Sequence, residues 1–156
     1  MTVVVRAFVV TAAPETVIDY LKDLGHASEW NPSTQRATRT GAGPIVVGTT
    51  WQNVAKVRGV TTELTYCLAA VESDKLVFIA RNEGAALTET ITVRPVDRGT
   101  EVTYHVDLEM HGLAKLATPV LRTEFERLGD EVAARLTGVL NSMARFSTDP
   151  GSKMDV

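Results

Sequence analysis

Three histidines, one cysteine and a handful of inward polar side chains are the residues of this sequence whose types suit chemistry. His26, His105 and His111 fall in a helix-end loop, a strand and a strand-end loop. They lack the paired spacing that brings metal ligands together, so no metal and no cofactor are expected. His105 and Asp107 share one strand face and have the types of an acid/base pair. That face is opposite Tyr104 and Val106 and should look to solvent. No nucleophile-elbow pattern supports a serine triad. Gly41-Ala42-Gly43-Pro44 opens no helix, lacks the aligned N–H donors of a phosphate loop and reads as a turn. Cys67 lies in a strand without a redox motif, and a single cysteine excludes an internal disulfide and fits a reducing compartment.

What remains is a polar set on the face that strand alternation turns inward. Tyr66 and Tyr104 are there, and a buried phenol seeks a hydrogen-bond partner, so each could orient a ligand oxygen. Glu89 shares the parity of Leu87 and Ile91, which points a carboxylate inward. Desolvation would raise its pKa and suit it to general acid or base work. The competing reading has the strand end or bulge near Glu89, freeing the side chain to water. Asn53, on the face of Trp51, is a further candidate contact, with Phe78 and the helix residues Leu121 and Leu128 as apolar ones. Trp30 and Phe125 are expected to shape the mouth and roof of a cavity. Arg6, Arg36, Arg39 and Arg81 fall off the inner face in this register.

A long helix must cover that face. From residue 118 to about 146 the side chains of Leu121, Phe125, Leu128, Val132, Leu136, Val139 and Met143 recur at steps of three or four. At about 1.5 Å per residue the helix reaches roughly 40 Å, the width of a small domain. Thr118 suits an N-cap and Pro119 the first helical position. Gly129, on the flank of the stripe, implies either close approach to a neighbouring element or room for a ligand. Glu131 and Arg135 are spaced as a solvated pair.

Ahead of it the chain reads in order. Residues 2–11 are rich in Val and Phe and apolar on both faces, as in a central or well-covered strand. Pro14 opens a short helix with Val17, Ile18, Leu21 and Leu24 on one side, ended by Gly25. Residues 26–31 add a further turn before Pro32. Between 33 and 110, turns at 41–44, 58–59, 72–75, 82–84 and 97–99 delimit six antiparallel strands with one oily and one wet face. A single twisted sheet with one apolar face needs a cover, which the last helix supplies.

The 156 residues are expected to form one domain, 1–146, followed by a flexible tail, 147–156. A net charge of −3 with both signs intermixed argues against nucleic acid and anionic membranes as partners. No run approaches the ~18 apolar residues of a membrane span, and the first residues lack a basic leader and cleavage site. A soluble, cytoplasmic protein, monomer or homodimer, is expected. Asn31-Pro32-Ser33 is no glycosylation site, because proline occupies its middle position.

Pro14, Val17 and Leu21 in the first helix, then Trp30-Asn31-Pro32 and Val47-Gly48-Thr49, are followed by Gly99-Thr100-Glu101-Val102-Thr103-Tyr104 at the last hairpin and Pro119 before the long helix. In this order the sequence resembles the START-like, helix-grip proteins, also labelled SRPBCC or polyketide cyclase/dehydrase, relatives of the birch-pollen allergen. The resemblance implies an α+β helix-grip fold: a curved seven-stranded antiparallel sheet around a long C-terminal helix, two short helices between the first two strands, and a deep apolar cavity. It implies no single activity. Three expectations stay open: a binder of a lipid, isoprenoid or polyketide-like molecule; a cyclase/dehydratase using Tyr66, Glu89 and Tyr104; or an interaction module with a filled cavity.

Overall fold

The computed structural model describes the backbone of residues 1–147 and the side chains of all of these except 117 and 144–147. Strand β1 (Thr2–Val10) leads into helix α1 (Pro14–Leu21), a 3-10 turn (Leu24–His26) and α2 (Ala27–Trp30). Six strands follow: β2 (Thr34–Thr40), β3 (Thr50–Val57), β4 (Val60–Val71), β5 (Lys75–Arg81), β6 (Ala85–Val96) and β7 (Gly99–Met110). A 3-10 segment (Gly112–Ala117) then runs directly into α3 (Thr118–Ser147). Thr118 is therefore helical itself, with φ −53° and ψ −46°, and does not act as the expected cap; its hydroxyl donates to the Lys115 carbonyl at 2.8 Å. The expected tail lies outside the described residues beyond Ser147, which still belongs to α3.

All seven strands are antiparallel, in the order β1-β7-β6-β5-β4-β3-β2. Because side chains opposite one another share a face, Trp51, Tyr66, Ala80, Leu87, Leu108 and Thr2 form one inward row from β3 to β1. A register shift in β4 between Leu68 and Ala70 adds bend, so the sheet curls around α3. β1 is an edge strand, not a central one. Its inner Val4 and Val10 are buried beneath α3, whereas the outward Val3, Val5 and Val9 are exposed. Apolar composition on both faces marked β-propensity here, not burial on both faces.

The stripe of α3 divides in two. Val132, Leu136 and Leu140 are buried, whereas Leu121, Phe125 and Leu128 are half-buried. At the junction stands Gly129, where a Cβ would lie 2.6 Å from Val4 Cγ1, so the glycine is there for close approach of helix to strand. Arg6 fastens the same crossing. It sits on the inner face with Val4, against expectation, but its guanidinium turns away to Asp130 at 2.7 Å and to the Glu126 carboxylate and carbonyl, both at 2.9 Å. Glu131 pairs with Arg127 one turn earlier, in place of the expected Arg135.

At the other end of the sheet Gly99 has φ +144°, and a Cβ there would meet the Val10 carbonyl oxygen at 2.0 Å. Only glycine lets the last hairpin pass so near the end of β1. The buried Thr100 hydroxyl next to it donates to the Ala12 carbonyl at 2.6 Å, tying the hairpin to the start of α1.

Candidate ligand cavity beneath the long helix

Where α3 is only half-buried, the space between it and the sheet is not filled. A chamber of about 120 Å³ lies there, walled by Leu64, Tyr66, Glu89 and Tyr104 among others and roofed by Phe125 and Leu128. It adjoins an open groove of about 760 Å³ between the 58–59 and 82–84 turns, the end of β7 and the first turns of α3. Thr62, Leu64, Leu108 and Phe125 belong to both walls. The 3-10 segment borders the groove: the His111 N–H donates to the Gly84 carbonyl at 2.8 Å, and Ala114 packs on Gly84. Leu113 and Leu116 on that segment are 87% and 80% exposed.

Glu89 is the singular residue of the chamber. β6 pairs with β5 and β7 in unbroken register across it, opposite Phe78 on one side and Val106 on the other. The strand neither ends nor bulges, so the carboxyl stays inward, 2% exposed, and its Oε1 finds no partner among the described residues. Burial pushes this carboxyl up to about 7, an effect partly offset by the neighbouring Tyr104 hydroxyl. Burial, then the Glu89 charge, push the Tyr66 and Tyr104 phenols well above their usual range. Near neutral pH Glu89 thus samples both protonation states while both phenols stay protonated. Asn53, 3% exposed, also faces the chamber and its Oδ1 is likewise unpartnered.

The sequence candidates therefore separate by place. Tyr66, Glu89, Tyr104, Asn53, Phe125 and Leu128 line the chamber, and Leu121 lines the outer groove. Trp30, Trp51 and Phe78 line neither. Trp30, 1% exposed, meets Tyr104 edge-on at 6.0 Å instead of forming a mouth. Trp51 and Phe78 meet at 5.9 Å, and Phe78 meets Tyr66 at 6.4 Å. These rings fill the closed core and brace the tyrosines, because wide apolar surfaces gain most from complete burial.

Sequence reading missed Asn31, Ser33 and Thr62, which also line the chamber. Thr62 shares the parity of Leu64 and Tyr66 and was within reach of the alternation. Asn31 and Ser33 come from a tight turn in which Asn31 Oδ1 accepts from the Ser33 N–H and hydroxyl at 3.0 and 2.8 Å, and no periodicity reports a turn's direction.

The other chemical clusters stand apart. His105 and Asp107 lie 3.3 Å apart on the outer face, each more than a third exposed. His26 stacks on Tyr20 at 4.6 Å, and the Tyr20 hydroxyl bonds Glu29, outside the chamber. Among the described residues no group of His, Cys, Asp and Glu is arranged to hold a metal. Among the described residues no helix is long and apolar enough to cross a membrane either.

The family model described as polyketide cyclase / dehydrase and lipid transport matches residues 1–141. The chain belongs to this family. Among solved structures, this polyketide cyclase/dehydrase family member is similar to a START superfamily protein from Mycobacterium smegmatis (TM-score 0.76, 13% identity, 92% of this chain and 99% of that one). It is also similar to the Zhui aromatase/cyclase from Streptomyces sp. R1128 (TM-score 0.72, 12% identity, 96% of each chain). A third likeness is to StfQ, a di-domain ARO/CYC protein of the steffimycin biosynthetic pathway (TM-score 0.71, 12% identity). It covers 92% of this chain and 52% of that one, so the family member spans about half of StfQ. At such identities the likeness is one of fold. No curated protein matches the sequence.

Proposed function

We propose that this protein binds a hydrophobic small molecule, of lipid, isoprenoid or polyketide-like type, between its sheet and α3. The observation that carries the reading is the chamber itself: a largely apolar void with a polar floor, beside an open groove, beneath the one half of α3 that the core leaves half-buried. The family description, which names lipid transport, supports it. A void in place of a packed core also weighs against a pure interaction module. Native mass spectrometry of freshly purified protein, beside a denatured sample, is the test. Extra mass lost on denaturation is expected. A bare protein that no lipid, isoprenoid or aromatic amphiphile stabilises against heat overturns the reading.

A second reading has its own observation. A buried carboxyl titrating near 7 beside two phenols is suited to taking a proton from carbon next to a carbonyl. Tyr66 or Tyr104 would donate a hydrogen bond to the enolate oxygen so formed, and Glu89 would return the proton. This is chemistry of the cyclase/dehydratase kind, and the similar Zhui protein is an aromatase/cyclase. In that case Glu89→Gln abolishes turnover of an enolisable substrate and leaves binding nearly intact. Unchanged turnover removes Glu89 from the chemistry.

A further inference from the structure

The chamber is too small for a fused polycycle and has one chemical bias. Its volume, about 120 Å³, is near that of the ~150 Å³ engineered cavity that takes up benzene, so one ring fills it. Any longer part of a ligand has to lie in the outer groove along Leu121 and Phe125. At the chamber floor the unpartnered polar atoms are oxygens, Glu89 Oε1 and Asn53 Oδ1, each on a residue at least nine-tenths buried. The tyrosine hydroxyls can both donate and accept. Among the described residues no Lys, Arg or His lines the chamber. Arg6, a cation on the inner face, does not line the chamber and is held by Glu126 and Asp130. From β4 and β7 the titratable groups facing Glu89 are Tyr66 and Tyr104; α3 presents Phe125, Leu128 and Val132, and β5 presents Phe78.

We infer that the chamber selects an uncharged, hydroxyl-bearing ring as the leading end of an amphiphile and rejects a carboxylate in the same place. A hydroxyl can donate to Glu89 or Asn53 while accepting from Tyr66 or Tyr104, satisfying groups that a purely apolar head leaves orphaned. A carboxylate head would bring a second negative charge beside Glu89 with no cation to pair it. It would have to enter protonated, and an acid of ordinary pKa near 4 forfeits about tenfold in affinity for each pH unit above that value. The assignment rests on the chamber being a binding site, and deepens that reading by naming the head group.

The test uses three probes of one shape, 4-butylphenol, 4-butylbenzoate and butylbenzene, titrated calorimetrically into the full chain at about pH 7.5 and about pH 5.5. The phenol is expected to bind at least about tenfold more tightly than the benzoate at the higher pH, and more tightly than butylbenzene. The gap to the benzoate should narrow at the lower pH and by about threefold or more in Glu89→Gln, a near-isosteric change. A benzoate that binds as well as the phenol overturns the inference, as does a gap indifferent to Glu89→Gln. Butylbenzene binding as tightly as the phenol sinks the hydroxyl preference while leaving the cavity a binding site. Binding of none of the three sinks the cavity reading and the head-group assignment together.

Discussion

A carboxyl held in an apolar wall makes stability depend on pH through one residue. Below about 4.5 Glu89 is protonated in both the folded and the unfolded chain. Between there and about 7 the unfolded chain releases its proton while the folded one keeps it, so stability falls as pH rises. Above about 7 the loss is complete, about 3 kcal/mol for a shift of this size in a fully buried group. Glu89→Gln should therefore match the parent near pH 4.5 and exceed it by up to about 3 kcal/mol at pH 8. Urea unfolding at the two pH values measures this, and parallel pH profiles for the two proteins would falsify it. The inward direction of Glu89 was legible from parity with Leu87 and Ile91 alone, since β6 keeps period two along its length. Its lack of a partner was not, because that depends on neighbours brought from other strands.

At the scale of elements, α3 is one helix with two environments. Its later half carries the buried Val132, Leu136 and Leu140, while its earlier half roofs a void and hangs on the Gly129 crossing and the Arg6 contacts. Local opening free energy should follow that division. Amides of residues 121–128 are expected to exchange at least about tenfold faster than those of 132–140, and a ligand that fills the chamber should slow the first group and spare the second. Uniform exchange along the helix would show that the roof is as firmly held as the core. The stripe and length of this helix could be read from spacing. Its start at Thr118-Pro119 was legible as well, but the absence of a cap there was not, because the 3-10 segment before it already continues into α3 and leaves Thr118 helical. The exposed Leu113 and Leu116 interrupt the apolar period and left that segment unmarked.

For the whole molecule, order of elements carried most of the fold: strand, short helices, a run of antiparallel strands, long helix. Turn residues placed the hairpins, and Gly99 and Gly129 mark two close approaches to β1, the first to its backbone at Val10 and the second to the Val4 side chain. What spacing does not encode is which large side chains fill the closed core and which face the void. Trp30, Trp51 and Phe78 are large and aromatic like Tyr66, Tyr104 and Phe125, yet they are buried in the closed core and only the latter three line the void. The pairing of β1 with β7, Thr2 opposite Leu108, has a bearing on how the protein is made. During synthesis β1 emerges about a hundred residues before its partner, on the order of 5–20 s at ordinary elongation rates. Throughout that interval Val3, Val5 and Val9 belong to a nascent strand with neither edge occupied, the kind of segment that chaperones capture and that aggregates if they do not. The ribosome must deliver the last strand before the first can take its place.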